Sequence, residues 1–118
     1  MTTQEVAKRF YELAQQGQWE QIQQELFHSQ ALSIEPEHAQ GLSTVQGLNN
    51  IWEKGKQWNE MIEAVHGGYC HEPQTAGNYF SCAMGVDATM KGQGRISMDE
   101  IALYEVQNGK IVKEQFFY

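Results

Sequence analysis

Three glutamates, Glu100, Glu105 and Glu114, lie among large apolar side chains near the end of this chain. A carboxylate without a partner is costly to bury, so carboxylates in such a setting usually have a reason to be there. Desolvation raises the pKa of a carboxyl group towards the range useful for general acid–base chemistry, and a second carboxyl nearby separates an acid from a base. A further glutamate, Glu35, precedes Pro36. We predict that Glu35, Glu100 and Glu114 are catalytic residues that move a proton on an apolar carbonyl compound.

A β-hairpin must position two of these groups. Apolar-rich segments 96–106 and 110–118 flank Asn108-Gly109, a strong hairpin signal because both residues tolerate positive φ. With a bulged turn, Tyr104 would face Glu114, and Glu100 would face Tyr118. A register one residue different would send the carboxylates to the other face of the sheet.

Residues 80–90 alternate between apolar and small or polar side chains, as in a half-buried strand. A turn over residues 91–95 would place Val86 opposite Glu100 and Cys82 opposite Tyr104. The two registers put these side chains on one face: Cys82, Met84, Val86, Glu100, Tyr104, Glu114, Phe116 and Tyr118.

The first half of the chain indicates helices. Thr2 and Glu5 match a capping box before an apolar stripe that ends at Gly17, and a second stripe runs from Trp19 to about residue 28. A short strand over residues 31–35, a third helix over residues 47–57 and a long strand over residues 60–72 follow. The long strand is expected to be weakened or bulged at Gly67-Gly68, and a turn is predicted over residues 73–77. Helices followed by strands predict an α+β fold and a single domain over residues 1–118, with an antiparallel sheet curved around a pocket.

The net charge and composition of the chain exclude several classes of function. A net charge of −7 without a basic stripe argues against binding of nucleic acid and anionic membranes. No segment is apolar enough to span a bilayer and no secretory signal is present, so we expect a cytoplasmic protein. Neither the two cysteines nor the four histidines have metal-ligand spacing, and no phosphate loop is present. We therefore expect no metal and no cofactor.

Several motifs together resemble the nuclear transport factor 2-like superfamily and, within it, the SnoaL-like proteins. The most specific one is Met98-x-Glu100-Ile101-x-x-Tyr104-x-Val106-x-x-Gly109-Lys110-Ile111-Val112-x-Glu114-x-Phe116-Phe117-Tyr118; the weaker ones include Gly17-x-Trp19, Ile34-Glu35-Pro36 and Gly47-x-x-x-Ile51-Trp52. The resemblance implies a cone-shaped curved antiparallel sheet wrapped around three N-terminal helices, an α+β barrel. It also implies a homodimer through the outer sheet face.

The ketosteroid isomerase branch of that superfamily is matched at one of three catalytic positions. Glu35 falls where that branch carries its carboxylate base, whereas Phe10 replaces its tyrosine and Ala102 replaces its protonated acid. Steroid isomerisation by the known mechanism is therefore disfavoured. The His/Asp arrangement of the SnoaL cyclases has no counterpart that the sequence identifies.

Two functions remain open. One is a cofactor-independent isomerase, cyclase or dehydratase; the other is a module that binds a small apolar molecule, or a second subunit, without catalysis. In the second case the glutamates would pair with tyrosine hydroxyls, lysines or Arg95. The predicted ligand-binding residues are Phe10, Trp52, Trp58, His66, Cys82, Met84, Val86, Tyr104, Phe116 and Tyr118.

Overall fold

The computed structural model describes all 118 residues and contains three helices and seven strands. The helices are α1 (Thr3–Gln15), α2 (Trp19–Leu26) and α3 (Leu48–Met61). The strands are β1 (Phe27–Ile34), β2 (Val45–Gln46), β3 (Ile62–Cys70), β4 (Gln74–Ala76), β5 (Tyr79–Met90), β6 (Gly94–Gln107) and β7 (Lys110–Phe117). The predicted α+β class is confirmed. None of the helices is both long and apolar enough to span a lipid bilayer.

The strands form one open sheet in the order β2-β1-β7-β6-β5-β3, with β4 paired to β5. The sheet is not closed into a barrel. It is also not antiparallel throughout, because β1 runs parallel to β7. Parallel strands need a long crossover connection, and here that connection includes β2, α3 and the strands up to β6. The predicted antiparallel pairing of β3, β5, β6 and β7 is confirmed. The parallel pairing of β1 with β7 was not predicted, because it joins the two ends of the sequence.

Local signals fixed the boundaries of α1. The Thr2 hydroxyl accepts from the Glu5 amide and the Glu5 carboxylate accepts from the Thr2 amide, which completes the predicted capping box. Gly17 follows the helix with a φ of +69°, a conformation that favours glycine. Helix α3 runs four residues past the predicted end at residue 57, to Met61, so Trp58 lies inside it.

The C-terminal hairpin has the predicted register. Asn108 and Gly109 both have positive φ, and Tyr104 lies opposite Glu114. The pairing of β5 with β6 is shifted by two residues from the predicted register, so that Met84 rather than Val86 lies opposite Glu100. Met90 pairs with Gly94, which makes the turn tighter than predicted. A shift of two residues keeps every side chain on its own face, because the side-chain period of a strand is two.

The segment between α3 and β5 is more irregular than predicted. Strand β3 has bulges between Ile62 and Ala64 and between Val65 and Gly67, whereas the sequence indicated one weak point at Gly67-Gly68. Within the predicted turn over residues 73–77, β4 pairs with β5. Bulges add a residue to one strand and change which face later side chains occupy.

The core lies between α1 and the inner face of the sheet. Phe10 contacts Tyr104 and Phe80, with ring centroids 4.7 and 5.4 Å away, and Phe80 stacks on Tyr104 at 4.8 Å. Cys70 and Cys82 are buried free thiols in the same cluster. These aromatic rings fill one end of the space enclosed by the sheet, while the end next to α3 stays open.

Candidate functional site

An open cavity of about 1190 Å³ lies between α3 and the inner face of the sheet. Its walls bring together ten of the predicted site residues: Glu35, Trp52, Trp58, Met84, Val86, Glu100, Tyr104, Glu114, Phe116 and Tyr118. A second depression, of about 1020 Å³, lies beside the N-terminus and the Asn108-Gly109 turn and contains no acidic or basic side chain. Convergent ionisable groups therefore distinguish the first cavity.

Three predicted ligand-binding residues lie outside the cavity. Phe10 and Cys82 are each only 1% exposed and pack in the core. His66 lies on the outer side of the sheet, where its Nε2 is 2.7 Å from the hydroxyl oxygen of Thr89. The bulges in β3 place His66 there, and they could not be located from the sequence.

Glu35 lies in a hydrogen-bonded network at the cavity wall. The Lys54 ammonium donates to Glu35 Oε2 at 2.7 Å and to the Ser33 hydroxyl at 2.6 Å. The Tyr118 hydroxyl donates to Glu35 Oε1 at 2.8 Å. Both oxygens of this carboxylate thus have partners, and the Lys54 and Glu35 side chains are only 9% and 5% exposed. Glu35 is a paired buried charge.

Two members of this network, Ser33 and Lys54, were missed by the sequence analysis. Ser33 lies near the end of β1, where side chains alternate between the two faces of the sheet. It is on the inner face, as are Ala31 and Glu35. In α3, Lys54 follows the buried Ile51 by three residues, on the same face of the helix. Helical spacing places Lys54 on the buried face of α3, but lysine is so seldom buried that its residue type indicated an exposed side chain.

Glu114 is the most deeply buried of the predicted catalytic residues, with 6% of its surface exposed. Burial raises its pKa to about 7, and the charge of Glu35 acts in the same direction. Hydrogen bonding with Ser33 and the positive charge of Lys54 oppose the rise in this pKa. Glu114 therefore holds a proton for a large share of the time at neutral pH.

Glu100 is half-buried and lines the cavity without a hydrogen-bond or ion-pair partner in the protein. Burial raises its pKa to about 7, with smaller contributions from the charges of Glu35 and Glu114, and Lys54 opposes them. Both of its protonation states are therefore accessible at neutral pH. A carboxyl group with this pKa can both donate and accept a proton.

The two cavity tyrosines remain protonated. Burial raises the pKa of Tyr104 well above its usual value, with the charge of Glu114 as the next cause. The pKa of Tyr118 is also raised, first by burial and then by its hydrogen bond to Glu35. No three His, Cys, Asp or Glu side chains converge in a way that could hold a metal ion. The chemistry that these side chains can perform is proton transfer.

Comparison with known proteins gives a family. A sequence model of the SnoaL-like domain matches residues 1–118. A Mesorhizobium loti protein whose name places it among SnoaL-like polyketide cyclases is 35% identical, with a TM-score of 0.92 and all of both chains covered. No curated protein matches the chain.

More distant structures share the fold. A Catenulispora acidiphila protein with a ketosteroid isomerase-like fold, solved with trimethylamine, is 19% identical, with a TM-score of 0.67, and 79% of this chain and 69% of that one are covered. TerC, co-crystallised with polyporic acid, is 17% identical, with a TM-score of 0.77 and 98% and 90% covered.

Proposed function

Because the chain belongs to the SnoaL-like family, we propose that it is a cofactor-independent isomerase, cyclase or dehydratase. Its substrate is a small, largely apolar carbonyl compound that binds in the cavity next to α3. The position of Glu100 is the observation that carries this proposal. Its carboxyl group faces the cavity without a protein partner and has a pKa of about 7, which suits general acid–base catalysis at neutral pH.

In this proposal Glu100 moves the proton. Its carboxylate removes a proton from the carbon next to the carbonyl group, and the electron pair moves to the carbonyl oxygen. The Lys54 nitrogen has three N–H donors, of which Ser33 and Glu35 accept two. The third donates to the developing oxyanion, an interaction that strengthens in the transition state. In a substrate with a β,γ carbon–carbon double bond, the electron pair then moves back from the oxygen, the double bond shifts into conjugation with the carbonyl group, and the protonated Glu100 returns its proton to the γ-carbon.

The other two carboxyl groups support this step. Glu114 lines the same cavity, and its raised pKa lets it supply a proton to the site at neutral pH. Glu35 fixes the Lys54 ammonium and the Tyr118 hydroxyl through its two oxygens. Glu35 is thus proposed as a positioning residue instead of the base that the ketosteroid isomerase comparison implied. Two structural relatives solved with small organic molecules, trimethylamine and polyporic acid, support a small-molecule ligand.

A second candidate function is binding without catalysis. It is favoured by the same network, because both oxygens of Glu35 are occupied and Phe10 supplies no hydroxyl donor to the cavity. In that case Glu100 would hold the ligand by a hydrogen bond and no proton would be exchanged with solvent.

The proposed assembly is a homodimer through the outer face of the sheet. Ile101 and Phe117 are paired across β6 and β7 and are 47% and 48% exposed. Adjacent exposed apolar side chains favour an isologous contact with a second copy. An Ile101→Glu variant is expected to run as a monomer in size-exclusion chromatography with light scattering. A wild-type chain that is itself monomeric at micromolar concentration would contradict the dimer.

Hydrogen–deuterium exchange tests the catalytic proposal without a known substrate. A panel of cyclic and aromatic ketones is incubated with the protein in D₂O, and deuterium uptake next to the carbonyl group is followed by NMR. We expect uptake with the wild type and a loss of about 10²- to 10⁴-fold with Glu100→Gln, the usual contribution of a general base.

Glu105→Gln is the matched control, because Glu105 lies on the same strand with its side chain on the opposite face. It is expected to keep the wild-type exchange rate. Bound ketones that exchange no faster than in buffer would favour the binding function, and equal rates in Glu100→Gln and wild type would exclude Glu100 as the base.

A further inference from the structure

The charges of the cavity do not balance. Lys54 is paired with Glu35 at 2.7 Å, and these two buried groups neutralise each other. Glu100 and Glu114 form no ion pair, and Lys54, the cation whose charge acts on both, is already bound to Glu35. Lys56 and Lys91 also line the cavity without pairing with either glutamate, and the carboxyl groups of its lining outnumber the ammonium groups. A positive charge beside Glu100 would therefore be stabilised electrostatically by the carboxylate.

The cavity walls are suited to a cation. The indole rings of Trp52 and Trp58 and the rings of Phe116 and Tyr118 line it, and the faces of aromatic rings attract positive charge. The protein's own ammonium shows this effect, because Lys54 Nζ lies 5.6 Å from the centroid of the Phe116 ring. Carboxylates and aromatic faces together can replace the water that a cation loses on binding.

We propose that the ligand of this cavity carries a positively charged nitrogen, an alkylammonium group on an apolar body, with the Glu100 carboxylate as its counter-ion. This inference rests on the proposed function in taking the cavity as the ligand site, and it adds the class of the ligand. An anionic ligand would face Glu100 and Glu114 and would have to compete with Glu35 for Lys54.

Binding of a cation is coupled to the ionisation of Glu100. The titratable and charged groups around Glu100 come from every neighbouring element: Glu35 from the end of β1, Lys54 from α3, Tyr69 from β3, Tyr104 from β6, and Glu114 and Tyr118 from the β7 segment. A cation stabilises the carboxylate form, so a proton leaves the site when the ligand enters. Affinity for a cation should therefore rise with pH up to the pKa of Glu100 and level off above it.

Two probes of the same shape test the inference. Choline carries a quaternary nitrogen where 3,3-dimethyl-1-butanol carries a neutral carbon, so only the charge differs. Their dissociation constants are measured by isothermal titration calorimetry, in two buffers with different ionisation enthalpies so that proton release is also counted. We expect choline to bind at least about tenfold more tightly to the wild type, with release of a fraction of a proton near neutral pH.

Variants separate the site from the general acidity of the protein. Glu100→Gln should reduce the preference for choline to about one and abolish proton release. Glu60→Gln removes one charge from an exposed residue at the edge of the same cavity, and the preference should survive. Thermal melting checks that both variants are folded.

Equal affinity for the two probes, or failure of both to bind, overturns the inference, as does a preference for choline that survives in Glu100→Gln. None of these results affects the exchange of ketone protons, so the proposed catalysis stands or falls separately. Conversely, selective choline binding without ketone exchange would retain the ligand class and remove the reaction.

Discussion

The two faces of the sheet treat their acidic side chains in opposite ways, and adjacent residues of β6 show it. Asp99 lies on the outer face and accepts a hydrogen bond from the Tyr69 hydroxyl, whereas Glu100 faces the cavity without a partner. Also on the outer face, Arg95 binds both oxygens of Asp87, at 2.9 and 2.8 Å, and lowers the pKa of that carboxyl group. On the inner face, burial raises the pKa of Glu100 and Glu114 to about 7.

The two faces of one sheet can thus hold carboxyl groups that stay charged and carboxyl groups that exchange a proton. Outer carboxylates are paired and partly solvated, so they remain charged and contribute to the surface. The paired Glu35 shows that the inner face can also hold a charged carboxylate, provided that a lysine is buried with it. Glu100 and Glu114 lack that arrangement, which leaves them able to exchange a proton.

The largest expected effect comes from breaking the buried pair. Lys54→Met leaves Glu35 buried without its cation, and we expect the free energy of unfolding to fall by about 3–5 kcal/mol. The matched change on the outer face is Lys113→Met, which removes a 3.8 Å contact with Glu105 and should cost less than about 1 kcal/mol. Urea unfolding measures both. Equal losses would show that burial of the Lys54 pair is unimportant.

The pH dependence of stability should follow the inner carboxyl groups. Their folded pKa values, about 7, lie above the ordinary value of 4.5, so the folded state binds more protons between these values. The stability that these two groups contribute is then highest below about pH 4.5, falls as the pH rises to about 7, and is level above it. The expected fall is on the order of 3 kcal/mol for each of the two groups.

Urea unfolding across this pH range in wild type, Glu100→Gln and Glu114→Gln checks the assignment. Each glutamine variant should flatten the slope, because glutamine does not titrate, and the double variant should remove most of it. A slope of the opposite sign, or one that neither variant changes, would contradict the raised pKa values.

A glycine on the outer face allows the Tyr69–Asp99 contact. A Cβ atom at Gly85 would come within 2.4 Å of the Tyr69 ring and 2.7 Å of the Met98 carbonyl oxygen. Gly85→Ala should therefore displace Tyr69 and lower the free energy of unfolding by about 1–3 kcal/mol. Gly55→Ala is the control, because a Cβ at this helical position meets nothing within 4 Å and should be neutral or stabilising. Equal effects of the two variants in urea unfolding would contradict this explanation.

The smallest expected effect concerns the exposed pair of Asp87 and Arg95. The pKa of Asp87 is lowered from 3.8 by the hydrogen bonds from Arg95, so its contribution is present above about that pH and is lost as the pH falls through the folded pKa. Asp87→Asn should slightly reduce the melting temperature at neutral pH and have no effect at very low pH. A change of equal size at both ends of the range would exclude the ion pair as its cause.

The side chains on the inner face of the sheet could be predicted from the sequence, because alternate residues of a strand lie on the same face. The error of two residues in the β5–β6 register left Met84, Val86 and Glu100 on the predicted face. The prediction failed for His66, which lies within the second bulge of β3, between Val65 and Gly67, and outside the cavity.

Long-range features could not be predicted in the same way. The parallel pairing of β1 with β7 brings Ser33 beside Glu114, and no local pattern indicates this contact. The pairing of Lys54 with Glu35 also joins distant segments. As a result the sequence identified three carboxyl groups but could not show that one of them would be neutralised and two would not.

The pKa of Glu100 is the most direct test of the difference between the two faces. Its carboxyl carbon can be followed by NMR in protein labelled with ¹³C at the glutamate side chains, with Glu100→Gln to assign the signal. The structure predicts an inflection near pH 7, well above the ordinary value of 4.5. An inflection at about 4.5 would mean that Glu100 is solvated and charged like the outer acids, and it would contradict the proposed proton transfer.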